Sequence, residues 1–269
     1  MTETFHAFEH AGWERAAEQY ADAFGDLTSQ AADPLLDAVG AGAGVRVLDV
    51  ASGPGFVARH ASARGALVTG IDFSPAMIAE ARRRHPAIPF HEGNAAALPF
   101  DAGSFDAVVM NFGMLHLARP EAAIAEARRV LRPGGRYGFT VWADPSLAVG
   151  FGIVLGAIER WGNKDVPLPE GPPFFRFASA SESRRALEDA AFEEVDVRPI
   201  ALVWRLSSSD GVFDALSRGG VRTAAVLRAQ TSEALTAIRR AVGAEVERYA
   251  RGRGFAVPMP AVLTVGTAR

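Results

Sequence analysis

The stretch of sequence with the clearest chemical potential joins an acid to a glycine-rich turn. Asp49 lies in a valine-rich apolar run, residues 45–50, and Gly53 and Gly55 follow within six positions. Phe56 then begins a helical pattern. Glycines let a backbone approach a ligand closely, and a helix start offers unpaired N–H groups. A strand, a glycine turn and a helix in this order hold a nucleotide-sized ligand at the carboxyl edge of a parallel sheet.

Further polar residues follow the next apolar runs. Asp72 ends the second run, where a carboxylate can accept both hydroxyls of a ribose. Asn94 and Ala95 follow the third run, and residues 105–111 form a fourth. His116 comes just after the fourth run, where a base facing a substrate could lie. Because the carboxyl ends of parallel strands share one edge, these residues are expected around one crevice.

The elements that position these residues alternate in the α/β manner. The pattern predicts an α/β fold: a Rossmann-like, doubly wound, mostly parallel seven-stranded sheet with helices on both faces and helical insertions that cap the site. Strands are predicted near residues 45–50, 67–72, 88–92, 105–111, 135–143, 194–206 and 260–266. Helices are predicted near residues 54–64, 75–84, 120–131 and 180–191, with further helical segments in 1–44, 145–176 and 208–251.

We expect one domain over residues 1–269. Within it, residues 1–44 would form an N-terminal helical lid, residues 45–143 the ligand-binding core, and residues 145–176 and 208–251 two cap insertions. Loop-rich and helical interruptions of this kind are read as insertions because no repeat or low-complexity linker separates them.

Composition excludes several classes of function. Charged residues make up 22% of the 269 residues and the net charge is −3, so neither nucleic acid nor an anionic membrane is an expected partner. The chain has no cysteine and its histidines lack metal-ligand spacing, so no metal is expected. No apolar run approaches the roughly 20 residues that span a bilayer, and the N-terminus does not resemble a signal peptide. A cytoplasmic protein, monomeric or homodimeric, is expected.

Taken together, the motifs resemble those of a known family. The chain looks like a class I S-adenosylmethionine (SAM)-dependent methyltransferase of the small-molecule branch that includes the ubiquinone and menaquinone C-methyltransferases. The matching motifs are Val47-Leu-Asp-Val-Ala-Ser-Gly-Pro-Gly55, Gly70-Ile-Asp-Phe-Ser-Pro-Ala-Met77, Glu92-Gly-Asn-Ala-Ala-Ala-Leu-Pro-Phe100 with Phe105-Asp106, and Arg129-Val-Leu-Arg-Pro-Gly-Gly135. The resemblance is close over residues 45–143 and only general elsewhere.

The resemblance implies roles at the adenosine end of the cofactor. Asp72 would hold the ribose hydroxyls, although the acid could instead cap the next helix. Phe73 and Met77 would flank the adenine. Asn94 and Ala95 would meet the adenine edge, although Asn94 could also be a plain turn residue. The family has an acid where Asn94 stands, so its oxygen would accept without charge assistance.

The resemblance also implies roles around the methionine part of SAM. The residues concerned are Asp49, Ala51, Ser52 and Gly53 of the turn, Asn111 and Phe112 at the end of the fourth strand, and Tyr20 of the N-terminal helices. Tyr20 would close the pocket or simply pack in the core. The family has a glycine where Ala51 stands, and an alanine there predicts an ordinary negative φ.

The expected reaction is transfer of a methyl group from SAM to a small, partly apolar acceptor, with S-adenosylhomocysteine (SAH) as product. His116 is the candidate base, although it could instead anchor its loop, and Trp142 and Phe175 could line the acceptor pocket or belong to the core. Two rivals stay open. One is a SAM-binding module without catalysis, and the other an NAD(P)-dependent oxidoreductase, since residues 53–58 also fit a dinucleotide fingerprint.

Overall fold

A seven-stranded sheet forms the centre of the molecule. The computed structural model describes residues 2–269. The strands of this sheet are β1 (Arg46–Val50), β2 (Leu67–Asp72), β3 (Phe90–Glu92), β4 (Phe105–Asn111), β5 (Leu131–Trp142), β6 (Phe192–Ile200) and β10 (Ala261–Ala268). Their spatial order is β3-β2-β1-β4-β5-β10-β6. Successive strands are therefore added on one side of β1 up to β3 and on its other side from β4 onward, which creates a crevice at the carboxyl ends of β1 and β4.

Most neighbouring strands run parallel. β1 pairs in parallel with both β2 and β4, and only β10 runs antiparallel, between β5 and β6. The apolar runs are continuous because helices cover both faces of the sheet. Leu48 and Val50 belong to one buried cluster, whereas Val47 belongs to the cluster on the other face. The predicted doubly wound, mostly parallel seven-stranded sheet is confirmed.

Ten α-helices surround the sheet in the part of the chain that the structure describes. They are α1 (Thr2–Thr28), α2 (Ala32–Ala38), α3 (Phe56–Ala63), α4 (Pro75–Arg84), α5 (Pro120–Val130), α6 (Val149–Trp161), α7 (Ala180–Asp189), α8 (Gly211–Arg218), α9 (Arg222–Arg228) and α10 (Ser232–Val246). Over residues 2–269, none of these helices has the length and apolar character to cross a membrane.

Local sequence explains why α4 begins where the pattern predicted. The Ser74 hydroxyl accepts a hydrogen bond from the backbone N–H of Met77 at 3.1 Å, and Pro75 occupies the first helical position. Both features are typical of helix starts. Because α4 follows β2 directly, this cap also fixes the chain immediately after Asp72.

The predicted strand over residues 194–206 is wrong in one respect. Two strands occupy this region, β6 and β7 (Val203–Leu206), and they belong to different sheets. β7 pairs with β9 (Gly254–Pro258), which also pairs with the short β8 (Ala250–Arg251). Leu202, between β6 and β7, is buried and accepts a backbone hydrogen bond from Met259, which turns the chain out of the central sheet.

The long helix α1 lies over the carboxyl edge of the sheet and contacts α4 and α8. Its Glu14 side chain accepts hydrogen bonds from the Ser74 hydroxyl and, at 3.1 Å, from the backbone N–H of Ala76. A carboxylate at a helix N-terminus is stabilised by the helix dipole. This contact holds α1 against the first turn of α4.

Candidate functional site

The turn after β1 adopts an unusual backbone conformation. Ala51 has φ +54°, so the expectation of an ordinary negative φ is wrong. The turn imposes this value, since the backbone N–H of Ser52 donates to the carbonyl of Ile71 on β2 at 3.1 Å. An alanine in the left-handed region costs about 1–2 kcal/mol. The glycine-type conformation is therefore kept here although the glycine is absent.

Gly113 gives the Ala51 methyl group the room that it needs. A Cβ atom on Gly113 would lie 2.6 Å from the Cβ atom of Ala51 and 2.8 Å from Cγ of Met110. Contacts this short do not occur between real carbon atoms, so a side chain at Gly113 would push the turn away from β4. The loss of a glycine at one position is thus accommodated by a glycine on the neighbouring strand end.

Asp49 is buried directly beneath this turn. One carboxyl oxygen accepts a hydrogen bond from the backbone N–H of Ala58, in the first turn of α3, at 3.0 Å. Burial raises the pKa of Asp49 to about 8; the Ala58 bond opposes this shift and the charge of Asp72 adds to it. The residue therefore links β1 to the first turn of α3.

Asp72 lies at the carboxyl end of β2 and is also buried. Its two carboxyl oxygens accept hydrogen bonds from the backbone N–H groups of Gly53 at 2.8 Å and Ser74 at 3.0 Å. Burial raises the pKa of Asp72 to about 6, although backbone N–H groups favour its charged form. Each oxygen keeps a lone pair that could accept a further hydrogen bond from a ligand hydroxyl.

The residues after β2 and β3 form one end of the crevice. Phe73 packs against His10 of α1, with ring centroids 5.4 Å apart. Met77 is buried in the first turn of α4. The Asn94 side-chain oxygen accepts from the backbone N–H of Ala96 at 2.9 Å, which makes it a turn residue, and Ala95 is buried beside it. Asn94 still faces the crevice, so its turn role and a ligand role are compatible.

The end of β4 is fixed by a hydrogen-bond network. Asn111 donates to the carbonyl of Thr28 at 3.1 Å and accepts from the Thr140 hydroxyl at 2.6 Å. Phe112 has φ +55°, and its backbone N–H donates to Thr140. A bulky residue in the left-handed region is an outlier that the surroundings must hold in place. The strained position directs the chain into the crevice wall.

A single cavity of about 540 Å³ brings the predicted site residues together. Its lining includes, among the predicted residues, Tyr20, Asp49, Ala51, Ser52, Gly53, Asp72, Phe73, Met77, Asn94, Ala95, Asn111, Phe112, His116 and Trp142. Phe175 is the exception. Its neighbour Phe174 lines the cavity instead, while Phe175 packs behind it against Phe151. The placement of Phe175 in the pocket is therefore wrong by one residue, because in the sequence the two adjacent phenylalanines cannot be told apart.

Eight rings line the inner part of the cavity in an unbroken series of contacts, which we name the aromatic wall. In order of contact they are Phe112, Trp142, Phe151, Phe174, His116, Trp13, Tyr20 and Phe24. Successive ring centroids lie 4.0–5.7 Å apart. These distances are typical of attractive aromatic pairs. Burial raises the pKa of Tyr20 to about 12, so this phenol is neutral.

Two charged residues that the sequence did not single out lie behind the aromatic wall. Glu9 of α1 is fully buried and contacts both His116 and Arg222. Arg222, at the start of α9, also lines the cavity. Glu9 and Arg222 are 213 positions apart, so no local sequence signal could have paired them.

Comparison with known proteins bears on the segment that contains this turn. Residues 48–139 match the family model described as a methyltransferase domain. This segment is therefore similar to methyltransferase domains. Demethylmenaquinone methyltransferase of Beutenbergia cavernae is 43% identical over 113 residues, covering 42% of this chain and 47% of that protein. An uncharacterized protein of Mycobacterium tuberculosis is 35% identical over 163 residues, covering 59% of this chain and 58% of that protein.

The fold is also similar to that of a solved structure. Phosphoethanolamine N-methyltransferase 2 of Haemonchus contortus, in complex with S-adenosyl-L-methionine, superposes with a TM-score of 0.60 at 16% identity, over 98% of this chain and 60% of that one. At this identity the likeness shows the fold alone. The chain spans about half the length of the curated relatives that it matches. The matched core is therefore shared, and the segments that shape the inner cavity lie mostly outside it.

Proposed function

We propose that this protein transfers a methyl group from SAM to a small, partly apolar acceptor by in-line displacement. The observation that carries the proposal is the buried carboxylate of Asp72. In the described part of the chain its hydrogen-bond donors are backbone N–H groups, and it lies at the cavity beside the carboxyl ends of β1 and β4. The matched methyltransferase domain and the demethylmenaquinone methyltransferases among its relatives support the same reaction. In a low-dielectric site, such a carboxylate is suited to ribose hydroxyls.

The residues around the turn fit SAM in size and in polarity. The Ser52 hydroxyl is buried without a hydrogen-bond partner in the described part of the chain and lies at the cavity. A buried hydroxyl without a partner is unfavourable, and a polar ligand group there would satisfy it. No group of three or more histidine, aspartate or glutamate residues suited to a metal occurs within residues 2–269, and the proposal includes no metal.

The proposed contacts divide the cavity into two ends. At the outer end, Asp72 would accept the ribose hydroxyls, Phe73 and Met77 would flank the adenine, and Asn94 and Ala95 would meet its edge. At the inner end, the backbone of residues 51–53 would face the methionine part, Asn111 and Phe112 would lie near the sulfonium, and Tyr20 would close the pocket. When bound, SAM supplies a methyl group on a positively charged sulfur that leaves as a neutral thioether.

The aromatic wall supports the proposed class of acceptor. Flat rings with few polar groups favour an apolar or aromatic molecule, and they exclude water from the reacting centre. His116 is the imidazole of this wall and would take a proton from an acceptor that must lose one. Trp142 lies against Phe112, with ring centroids 4.0 Å apart, and would border both the methyl group and the acceptor.

The proposal also covers the domain organisation, the cellular setting and the oligomeric state. Residues 1–44 would act as a lid and residues 145–176 and 208–251 as caps over one domain. The setting would be cytoplasmic, and the protein a monomer or homodimer.

The test of this function is transfer of label from SAM that carries a tritiated methyl group. The protein would be incubated with this SAM and either a small-molecule cell extract or chemically reduced demethylmenaquinone. We expect tritium in an organic-soluble product and formation of SAH in equal amount. The Asp72→Asn protein should give little label, and heat-denatured protein gives the background.

Two results would contradict the proposal in different ways. Tight binding of SAM without any labelled product, in every extract fraction, would favour a SAM-binding module without catalysis. Binding of NAD, with no binding of SAM or SAH, would make the glycine turn a dinucleotide site. Calorimetric titration with the three compounds separates these results.

A further inference from the structure

A buried ionic triad joins three distant parts of the chain behind the aromatic wall. One carboxylate oxygen of Glu9, Oε2, lies 2.9 Å from Nδ1 of His116, and the other, Oε1, accepts from Nε of Arg222 at 2.7 Å. The Glu9 side chain is 0% exposed, against 16% for His116 and 17% for Arg222. The triad therefore places a full negative charge where water does not reach, with one donor on each oxygen.

Arg222 is held firmly in this arrangement. Besides Glu9, its guanidinium donates to the carbonyls of Pro172 at 2.8 Å and Leu115 at 2.7 Å. Its carbon Cζ lies 4.5 Å from the ring centroid of Phe5 and 5.4 Å from that of Phe174. Three hydrogen bonds and two aromatic contacts fix the guanidinium beside Oε1, so Arg222 is a permanent counter-charge for Glu9.

The charge balance of the triad decides which nitrogen of His116 holds the proton. Burial disfavours the charge of Glu9, but His116 and Arg222 outweigh this effect and leave the pKa of Glu9 below its ordinary value. Glu9 is thus an acceptor at both oxygens, and Arg222 alone already neutralises it. Because an ionised carboxylate oxygen can only accept a hydrogen bond, the 2.9 Å contact with Oε2 places a proton on Nδ1 of His116.

The other imidazole nitrogen, Nε2, points in a different direction from Nδ1, because the two nitrogens flank Cε1 and their bonding directions diverge. Nε2 therefore does not face Glu9. Trp13 and Phe174 hold the ring edge-on, with centroids 4.7 Å and 5.7 Å away. His116 lines the cavity. Nε2 is therefore the nitrogen that Glu9 leaves uncontacted, on a ring that the wall and Glu9 together fix in orientation.

We propose that Glu9 is a positioning residue that fixes His116 in its Nδ1–H tautomer, so that Nε2 can take a proton from the acceptor. This inference rests on the proposed methyl transfer. In that step the O–H bond of the acceptor breaks and its proton goes to Nε2. For methylation at oxygen, the electron pair left on oxygen forms the bond to the methyl carbon. For methylation at the adjacent carbon, that pair becomes the C=O π bond and the C=C pair forms the bond to the methyl carbon, after which a phenol releases its C–H proton to restore the ring. The pair that joined the methyl group to sulfur stays on sulfur.

The triad also defines the class of acceptor. A neutral amine is already a nucleophile and needs no base before it is methylated, whereas a phenol or an enol reacts far faster as its anion. A base tautomer held in a wall of flat rings suits a planar phenol or enol. The acceptor is therefore an acidic hydroxyl compound that is methylated at oxygen or at the adjacent carbon.

The chain offers an informative variant, because Glu9→Gln should invert the tautomer. Arg222 requires an acceptor, so the amide oxygen of the glutamine would turn toward it. The amide NH₂ group would then face Nδ1 of His116 and donate to it, which moves the imidazole proton to Nε2. Glu14→Gln is the matched control on the same helix, since Glu14 contacts Ser74 and Ala76 and not His116.

The tautomer is read from long-range ¹H–¹⁵N spectra of ¹⁵N-histidine-labelled protein, with the His116 signals identified by their loss in His116→Gln. We expect Nδ1–H in the wild type and in Glu14→Gln, and Nε2–H in Glu9→Gln. We also expect Glu9→Gln to lower kcat for tritium transfer by about 100-fold while SAH affinity changes less than threefold.

An Nε2–H tautomer in the wild type, or an Nδ1–H tautomer that persists in Glu9→Gln, would overturn this inference. An unchanged kcat in Glu9→Gln would also overturn it. These results do not bear on SAM binding, whereas failure of the wild type to bind SAM or SAH would overturn the proposed function and leave the tautomer result standing. The two failures are thus distinguishable.

Discussion

Two aspartates at opposite edges of the central sheet differ in their hydrogen-bond donors and in the direction of their pKa shifts. Asp106, near the start of β4, accepts hydrogen bonds from Arg46 at 2.9 and 3.0 Å and from Arg132 at 2.6 Å. The Arg46 guanidinium holds its pKa well below the usual range. Asp72, at the end of β2, has no arginine among its hydrogen-bond donors within residues 2–269, and burial raises its pKa to about 6.

The difference separates a structural acid from one that we propose binds a ligand. At the amino edge, the charge of Asp106 is neutralised by arginines of the chain itself, which leaves little for a ligand. At the carboxyl edge, Asp72 is oriented by backbone N–H groups but not neutralised, so its charge and its remaining lone pairs face the cavity. Binding capacity therefore lies where the fold leaves a carboxylate incompletely satisfied.

The largest expected difference between the two aspartates is in SAH affinity after the charge of each is removed in turn. Asp72→Asn should weaken SAH binding at least about tenfold, because a hydrogen bond to a charged group contributes about 1.5–3 kcal/mol. Asp106→Asn should leave the dissociation constant within about twofold, since its partners lie at the other edge of the sheet. Calorimetric titration measures both.

Equal losses of SAH affinity in the two variants would contradict a special role for Asp72 and would mean that either substitution lowers affinity by destabilising the folded protein. Thermal unfolding of each variant is the control, and the titrations are made well below the lower of the two unfolding temperatures.

A smaller effect is expected in the dependence of stability on pH. The folded-state pKa of Asp49 is raised from 3.8 to about 8, so the folded chain binds a proton that the unfolded chain has released across that range. The free energy of unfolding therefore falls as pH rises, by up to about 1.4 kcal/mol per pH unit for one proton. Asp72, with a folded-state pKa of about 6, is largely ionised from pH 7 upward, so the interval between pH 7 and 8 isolates Asp49.

Urea unfolding of the ligand-free protein at pH 7, 7.5 and 8 measures the slope. Asp49→Asn should flatten it, while Asp106→Asn should leave it unchanged, since the lowered pKa of Asp106 places its contribution at acid pH. If all three proteins gave one slope, Asp49 would be ionised in the folded chain and the difference between the two edges would be smaller than described.

The elements nearest the site were predictable because short-range signals define them. Ser74 and Pro75 cap α4 at the predicted residue, and the apolar run of β4 ends at Asn111 as expected. The acid at the end of β2 and the small residues after β1 and β3 were also singled out from the sequence, and they line the cavity. Each of these features depends on neighbours a few residues apart.

The remaining features depend on contacts between distant segments. The conformation of Ala51 is set by a hydrogen bond to β2 and by space at Gly113. The choice of Phe174 over Phe175 depends on how the loop meets α6, and Glu9 acquires its role only when α9 brings Arg222 to it. The second sheet forms because Leu202 turns the chain between β6 and β7. None of these has a local pattern.

The most direct test of the central claim is a crystal structure of the protein with SAH. We predict ribose hydroxyl oxygens within about 3.2 Å of the Asp72 carboxylate oxygens, adenine between Phe73 and Met77, and the sulfur atom toward Asn111 and the aromatic wall. SAH bound with its ribose away from Asp72, or bound outside this cavity, would contradict the account.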